Sequence, residues 1–204
     1  MKQKITIVDY GVGNVYSVYN SISRLGYKVS ISSTEEVIRS ADFLVLPGVG
    51  AFEAAIHNLK SKKLDTVLTE EVVYRGKPIL GICVGMQMLA TVSEENGVHE
   101  GLNWIEGQVI KLDLSKGFSV PHVGWNDVQV IKKLPLFDRN GDRPHFYFDH
   151  SYHFRCDAKY IAATCDYGME VVAAVQKDNI YGVQFHPEKS QTMGLKLFRN
   201  FFNQ

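Results

Sequence analysis

A cysteine held between glycines, Gly81-Ile82-Cys83-Val84-Gly85, and a histidine two residues before a glutamate, His186-Pro187-Glu188, supply a nucleophile, a base and an orienting carboxylate. Cysteine attacks carbonyl carbon as its thiolate, so it needs a neighbour that takes its proton. An imidazole does this best when a carboxylate fixes its tautomer and stabilises its charged form. Cys83, His186 and Glu188 are therefore expected to form an acyl-transfer triad. Side chains two apart on an extended segment share a face, which would direct His186 and Glu188 together. The stretch around Cys83 has the form of a nucleophile elbow, in which an apolar strand turns sharply into a helix. Its strained tip would expose the thiol beside the positive end of that helix. Such an attack also requires an oxyanion hole. One donor is expected from the Val84 backbone N–H, the other from the glycine-rich turn Pro47-Gly48-Val49-Gly50.

Other clusters point to chemistry less directly. Gly11-Val12-Gly13 follows a strand, but position 16 is Tyr where a dinucleotide loop has its third glycine, so a tight turn is expected. His145, Asp149, His150 and His153 alternate with aromatics, the pattern of a strand that would scatter metal ligands to opposite faces. No metal or cofactor is expected. His122, Trp125 and Asn126 stand in a loop-like context, Pro-His-Val-Gly-Trp-Asn.

A strand over 4–10, a helix over 15–25 closed by Gly26, a strand over 28–32, a short helix over 35–39 and an apolar strand over 43–46 open the chain. Asn14 is the candidate N-cap of the first helix, Ser33 and Thr34 of the second. Helices are expected over 51–60 and 64–74 before the strand that leads to Cys83. Apolar strands alternating with helices indicate a doubly wound α/β fold, a mostly parallel sheet with helices on both faces. In such sheets reactive groups collect at the carboxyl ends of strands, where Cys83 and His186 could meet despite their separation in sequence. Beyond residue 104 short strands separated by turn residues predict added antiparallel β-structure, with a closing helix over 193–202. Residues 1–204 are expected to form one domain.

Lys plus Arg and Asp plus Glu each number 22, so the chain lacks the broad charged footprint of a nucleic-acid or membrane-surface binder. Three cysteines at unrelated spacings suit a reducing compartment. The N-terminus runs directly into a strand and no apolar run reaches spanning length, which predicts a cytoplasmic protein.

Gly-Ile-Cys83-Val-Gly-Met-Gln87 together with Gln-Phe-His186-Pro-Glu188-Lys-Ser resembles the class I, triad-type glutamine amidotransferases. Pro47-Gly-Val-Gly-Ala-Phe52, Pro-His122-Val-Gly-Trp125-Asn126 and His150-Ser-Tyr152 narrow the resemblance to the glutaminase subunits of imidazole glycerol phosphate synthases. The resemblance runs in order over nearly the whole chain. It implies hydrolysis of glutamine to glutamate and ammonia through a thioester on Cys83, with Gly50, Gln87, Ser151 and Tyr152 binding glutamine. It further implies a heterodimer with a (β/α)8 barrel synthase subunit that uses the ammonia in histidine biosynthesis, with Asn14, Trp125 and Lys189 toward that partner. Two departures from the wider pattern stand out. Val49 lies where many amidotransferases have glycine, and a β-branched residue resists the positive φ that would turn its N–H inward. This suggests an oxyanion hole completed only when the loaded partner docks. Val84, Asp149 and the Ser-Tyr-His-Phe continuation resemble paralogous glutaminases that supply ammonia for sugar amidation in surface-polysaccharide synthesis. A freestanding cysteine hydrolase would leave the partner-side motifs unexplained, and an intact Cys, His and Glu set argues against a non-catalytic scaffold.

Overall fold

The computed structural model of the chain describes residues 3–114, 117–132, 135–138 and 144–204. Its first half alternates β1 (Lys4–Val8), α1 (Val15–Ser23), β2 (Lys28–Ser32), α2 (Glu35–Ser40) and β3 (Phe43–Gly48). Then come α3 (Phe52–Ser61), α4 (Leu64–Thr69), a π-helical turn at Glu70–Tyr74, and β4 (Ile79–Cys83). Every residue of β3 and β4 is buried, which is why their sequences are apolar runs without alternation.

The second half holds α5 (Val84–Gln87), β5 (Val92–Ser93), β6 (His99–Glu100), β7 (Gly107–Lys111), β8 (His122–Asp127) and β9 (Gln129–Val130). It continues with β10 (His145–His150), β11 (Tyr152–Cys156), β12 (Ile161–Asp166), β13 (Glu170–Lys177), β14 (Ile180–Val183) and α6 (Gln191–Phe202).

The main sheet has the order β2-β1-β3-β4-β14-β13-β12-β9. From β2 to β14 the neighbours are parallel, and from β14 to β9 they are antiparallel. The expected parallel core with added antiparallel strands is thus one continuous sheet. Two smaller sheets, β10-β8 and β11-β7-β5-β6, stand beside it. Helix α6 begins two residues earlier than its apolar pattern indicates and buries Phe198, Phe201 and Phe202; Phe201 meets Phe43 of β3 edge to face.

Three local expectations differ. Asn14 occupies the N-cap position of α1 and Thr34 that of α2, but neither side chain caps its helix; Ser32 Oγ instead accepts the Thr34 N–H at 3.0 Å. His122, Trp125 and Asn126 lie in a strand, not a loop, because β8 pairs antiparallel with β10 along its length. Among the described residues no helix is long and apolar enough to cross a membrane.

Candidate active site

The elbow is built by close backbone packing. β3 and β4 end in register, Gly48 opposite Cys83. A Cβ on Gly85 would stand 1.9 Å from the Leu46 carbonyl oxygen, and one on Gly48 would stand 2.6 Å from the Gly85 nitrogen. Only glycine lets the turn settle this tightly on β3. Cys83 itself sits at φ 54°, ψ −113°, a conformation that costs a non-glycine residue on the order of 1–3 kcal/mol and that clusters at functional sites. The helix after it is a single turn, Val84–Gln87, shorter than its sequence suggests. So short a helix offers little dipole, and side chains must set the environment of the sulfur.

Those side chains arrive from β14. It runs parallel to β4 with Val183 opposite Ile82, so the residues after it emerge beside Cys83. The His186 N–H donates to the Tyr147 carbonyl at 2.8 Å, and Ser190 Oγ donates to the His186 carbonyl at 2.6 Å while accepting from the Tyr147 N–H at 3.0 Å. This clip ties the segment to β10. Glu188 is not on extended chain as expected: Pro187 starts a 3-10 turn over Pro187–Lys189, with His186 as its extended N-cap. The turn still brings the carboxylate to the ring, with His186 Nδ1 2.8 Å from Glu188 Oε1 and both side chains 2 % exposed. Burial opposes a charged ring, but hydrogen bonding to Cys83 and Glu188 outweighs it and raises His186 from 6.5 to about 10. Burial pushes Cys156 up to about 11 and Cys165 up to about 12, making them poor nucleophiles.

Cys83, Val84, Gln87 and His186 open on one cleft of about 260 Å³, a size for a small metabolite rather than a peptide. Val49 and Gly50 form one wall, Ser151 and Tyr152 another. Beneath the first wall the buried Tyr10 hydroxyl donates to the Pro47 carbonyl at 2.6 Å, anchoring the turn. Gly50 has φ +83°, whereas Val49 is absent from the residues with positive φ and is half-exposed. Four further residues line the cleft, Glu95, Pro121, Asp149 and His150; the last three stand in motifs singled out in the sequence, but none of the four is a catalytic or glutamine-binding candidate there. Glu95 Oε2 accepts the Phe52 N–H at 2.8 Å, leaving a carboxylate on the cleft wall. Asp149 brings its backbone carbonyl to 3.9 Å from Cys83 Sγ and its carboxylate to 3.4 Å from Lys189 Nζ.

Trp125 and Lys189 lie outside the cleft but share a neighbour. Trp125 packs edge-on against Tyr147 of β10, and Lys189 Nζ lies 5.3 Å from the centre of the same ring. Asn14 lies at the start of α1, whose Ser21 Oγ approaches the Glu188 carbonyl at 3.5 Å. Among the described residues no group of His, Cys, Asp and Glu is arranged to hold a metal ion.

A cysteine on a strained strand-to-helix turn, with a glutamate-paired histidine following the neighbouring strand, is an arrangement that triad-type acyl transfer in α/β enzymes, the amidotransferases among them, can use. Comparison with known proteins agrees: the family "Glutamine amidotransferase class-I" matches residues 6–204. The chain is similar to imidazole glycerol phosphate synthase subunit HisH 2 of Vibrio vulnificus, 50 % identical over 98 % of this chain and 94 % of that one. It is similar also to HisH 2 of Methanococcus maripaludis, 46 % identical over 98 % and 99 % of the two chains. The chain belongs to the class I glutamine amidotransferases and, within them, to the family of HisH subunits. Solved structures share its fold. A glutamine amidotransferase superposes with a TM-score of 0.76 at 19 % identity, covering 97 % of each chain. PurLQS from Thermotoga maritima does so with 0.75 at 20 %, covering 100 % and 99 %.

Proposed function

We propose that the protein is a glutaminase subunit of imidazole glycerol phosphate synthase, with residues 1–204 acting as one glutaminase domain. The observation that carries the reading is the His186–Glu188 pair at 2.8 Å, raised in basicity and aimed at a cysteine on a strained elbow. His186 takes the proton of Cys83, and the sulfur attacks the side-chain carboxamide carbon of glutamine. The tetrahedral oxyanion is received by the Val84 N–H and by the Val49-Gly50 wall. As it collapses, the C–N bond breaks and His186 returns the proton to nitrogen, releasing ammonia and leaving a γ-glutamyl thioester. Water, activated by the same histidine, cleaves the thioester to glutamate and free thiol. Glu95 suits the α-ammonium of the substrate, while Gln87 and the backbone at Gly50, Ser151 and Tyr152 orient the rest.

The ammonia acceptor lies on a (β/α)8 barrel partner, to which the lyase step belongs, and docking uses the face of Trp125, Lys189 and Asn14. We place this reaction in the cytoplasm. The resemblance of Val84, Asp149 and the Ser-Tyr-His-Phe continuation to the sugar-amidation paralogues gives a second reading of the acceptor. The test is Cys83→Ala in complex with the barrel chain. Synthesis driven by glutamine should stop, and synthesis driven by an ammonium salt should persist. Glutamine-driven synthesis that survives would overturn the reading. Supplying the complex with a ribulose nucleotide or a sugar acceptor separates the two pathways.

A further inference from the structure

A branched chain of buried polar side chains meets at one atom, the Tyr152 carbonyl oxygen, which can only accept hydrogen bonds. It lies 3.0 Å from Gln87 Nε2 and 2.8 Å from His150 Nδ1. Gln87 must therefore present its NH₂ group there. The same nitrogen is 3.1 Å from Gln184 Oε1, which is then necessarily the oxygen of that amide. Reversing Gln184 would set two NH₂ groups face to face in a dry interior. With its oxygen so committed, Gln184 turns Nε2 toward the Cys83 sulfur at 3.7 Å. Gln184 is wholly buried and Gln87 is 2 % exposed, so neither can exchange these partners for water.

The other branch is equally determined. With hydrogen on Nδ1, His150 has a lone pair on Nε2, and His122 Nδ1, 3.0 Å away, must donate to it. His122 Nε2 then accepts from Asn126 Nδ2 at 3.3 Å, and Asn126 also donates to the Asp166 carbonyl at 2.8 Å. His122 is stacked between Phe148 and Tyr167, with ring centres 4.6 and 3.8 Å away, which prevents the ring from turning. Burial lowers both imidazoles, His122 to about 4 and His150 to about 3, keeping them neutral and the pattern intact.

We propose that Gln184 acts on the nucleophile by donating a side-chain N–H to the Cys83 sulfur, in a direction imposed by the Tyr152 carbonyl through Gln87, with His150 and His122 as positioning residues that hold that carbonyl. The proposal rests on Cys83 being the nucleophile. When His186 takes the thiol proton, the sulfur's charge meets an amide already aimed at it, on the side away from the solvent. Unlike Gln87, whose amide also faces the cleft, Gln184 does not line it, so its contribution goes to the sulfur rather than to substrate affinity.

The test compares iodoacetamide alkylation of Cys83, followed by mass spectrometry of its peptide, in the wild-type chain, Gln184→Met and the isosteric Gln184→Glu. Removing a hydrogen bond to a charged atom should slow alkylation at pH 7 by about tenfold or more in both variants, with recovery at alkaline pH. Glutaminase kcat in the complex should fall by a similar factor with KM nearly unchanged. A folded variant that alkylates at the wild-type rate overturns the proposal. Nitrogen-15 spectra of the wild-type histidines give a second measure, since His122 and His150 should both be neutral and protonated on Nδ1. An Nε2–H tautomer or a charged ring at either position would refute the imposed direction. Failure of the underlying reading looks different: Cys83→Ala would retain glutaminase whatever Gln184 does.

Discussion

Glu188→Gln separates the two things the carboxylate does for His186. Glutamine keeps an oxygen where Oε1 stands, 2.8 Å from Nδ1, and so keeps the ring's tautomer, but it removes the negative charge that stabilises the imidazolium. A hydrogen bond to a charged group contributes about 1.5–3 kcal/mol and a neutral one about 1, so the imidazolium should lose roughly 0.5–2 kcal/mol. That corresponds to a fall in glutaminase kcat of about 2- to 30-fold. Glu188→Ala strips both the charge and the bond, leaves Nδ1 buried and unpartnered, and should cost about 3–5 kcal/mol, roughly two to four orders of magnitude. The pH dependence gives a second handle. His186 is raised from 6.5 to about 10, so the stability contributed by its charged form is complete below 6.5 and disappears as pH climbs through about 10. Without the carboxylate that loss, and the alkaline limb of activity, should move to lower pH. The assay is glutamate release by the complex over a pH series, run beside ammonium-driven synthesis, which should not change. A Glu188→Gln enzyme with the full glutaminase rate, or equal losses in both assays, would refute the reasoning.

Two further substitutions probe the walls of the site. Val49→Gly lifts the roughly 1–3 kcal/mol penalty on positive φ, so glutaminase activity of the chain without its partner should rise by about 5- to 160-fold; no rise would remove Val49 as the restraint. In Gly194→Ala the new Cβ would fall 1.8 Å from the Pro187 carbonyl oxygen, between His186 and Glu188. The helix or the turn must move, at a cost of about 1–3 kcal/mol in a thermal melt, and glutaminase should drop while ammonium-driven synthesis holds.

Much of this was legible because the first half obeys simple rules: apolar runs for strands buried on both faces, helical spacing between them, and glycines where Cys83 must turn. The rest failed for physical reasons. β8 passed for a loop because its less exposed positions are His122, Gly124 and Asn126, so it lacks the apolar alternation that marks a strand; Phe146 and Phe148 of its partner β10 supply the buried surface. The bend at Pro187 is invisible to a rule that assumes extended chain. Glu95 carries no motif, and Asp149, though it stands in the Asp-His-Ser-Tyr run, gives no sign in sequence that it reaches the cleft. The hydrogen-bond chain through Gln184 spans residues far apart in sequence, and spacing says nothing about which atoms meet.

The place of β14 in the sheet also governs when the enzyme becomes an enzyme. β14 lies between β4 and β13, yet it is synthesised roughly one hundred residues after the cysteine it sits beside. A nascent chain that has passed Cys83 has an open sheet edge along β4 and still lacks His186, so under the proposed mechanism its thiol has no base. That long-range closure is slow to form and exposes an apolar edge meanwhile, which makes late folding intermediates the aggregation-prone species. Catalytic competence and burial of the β4 edge should therefore be gained together on refolding, in one kinetic phase.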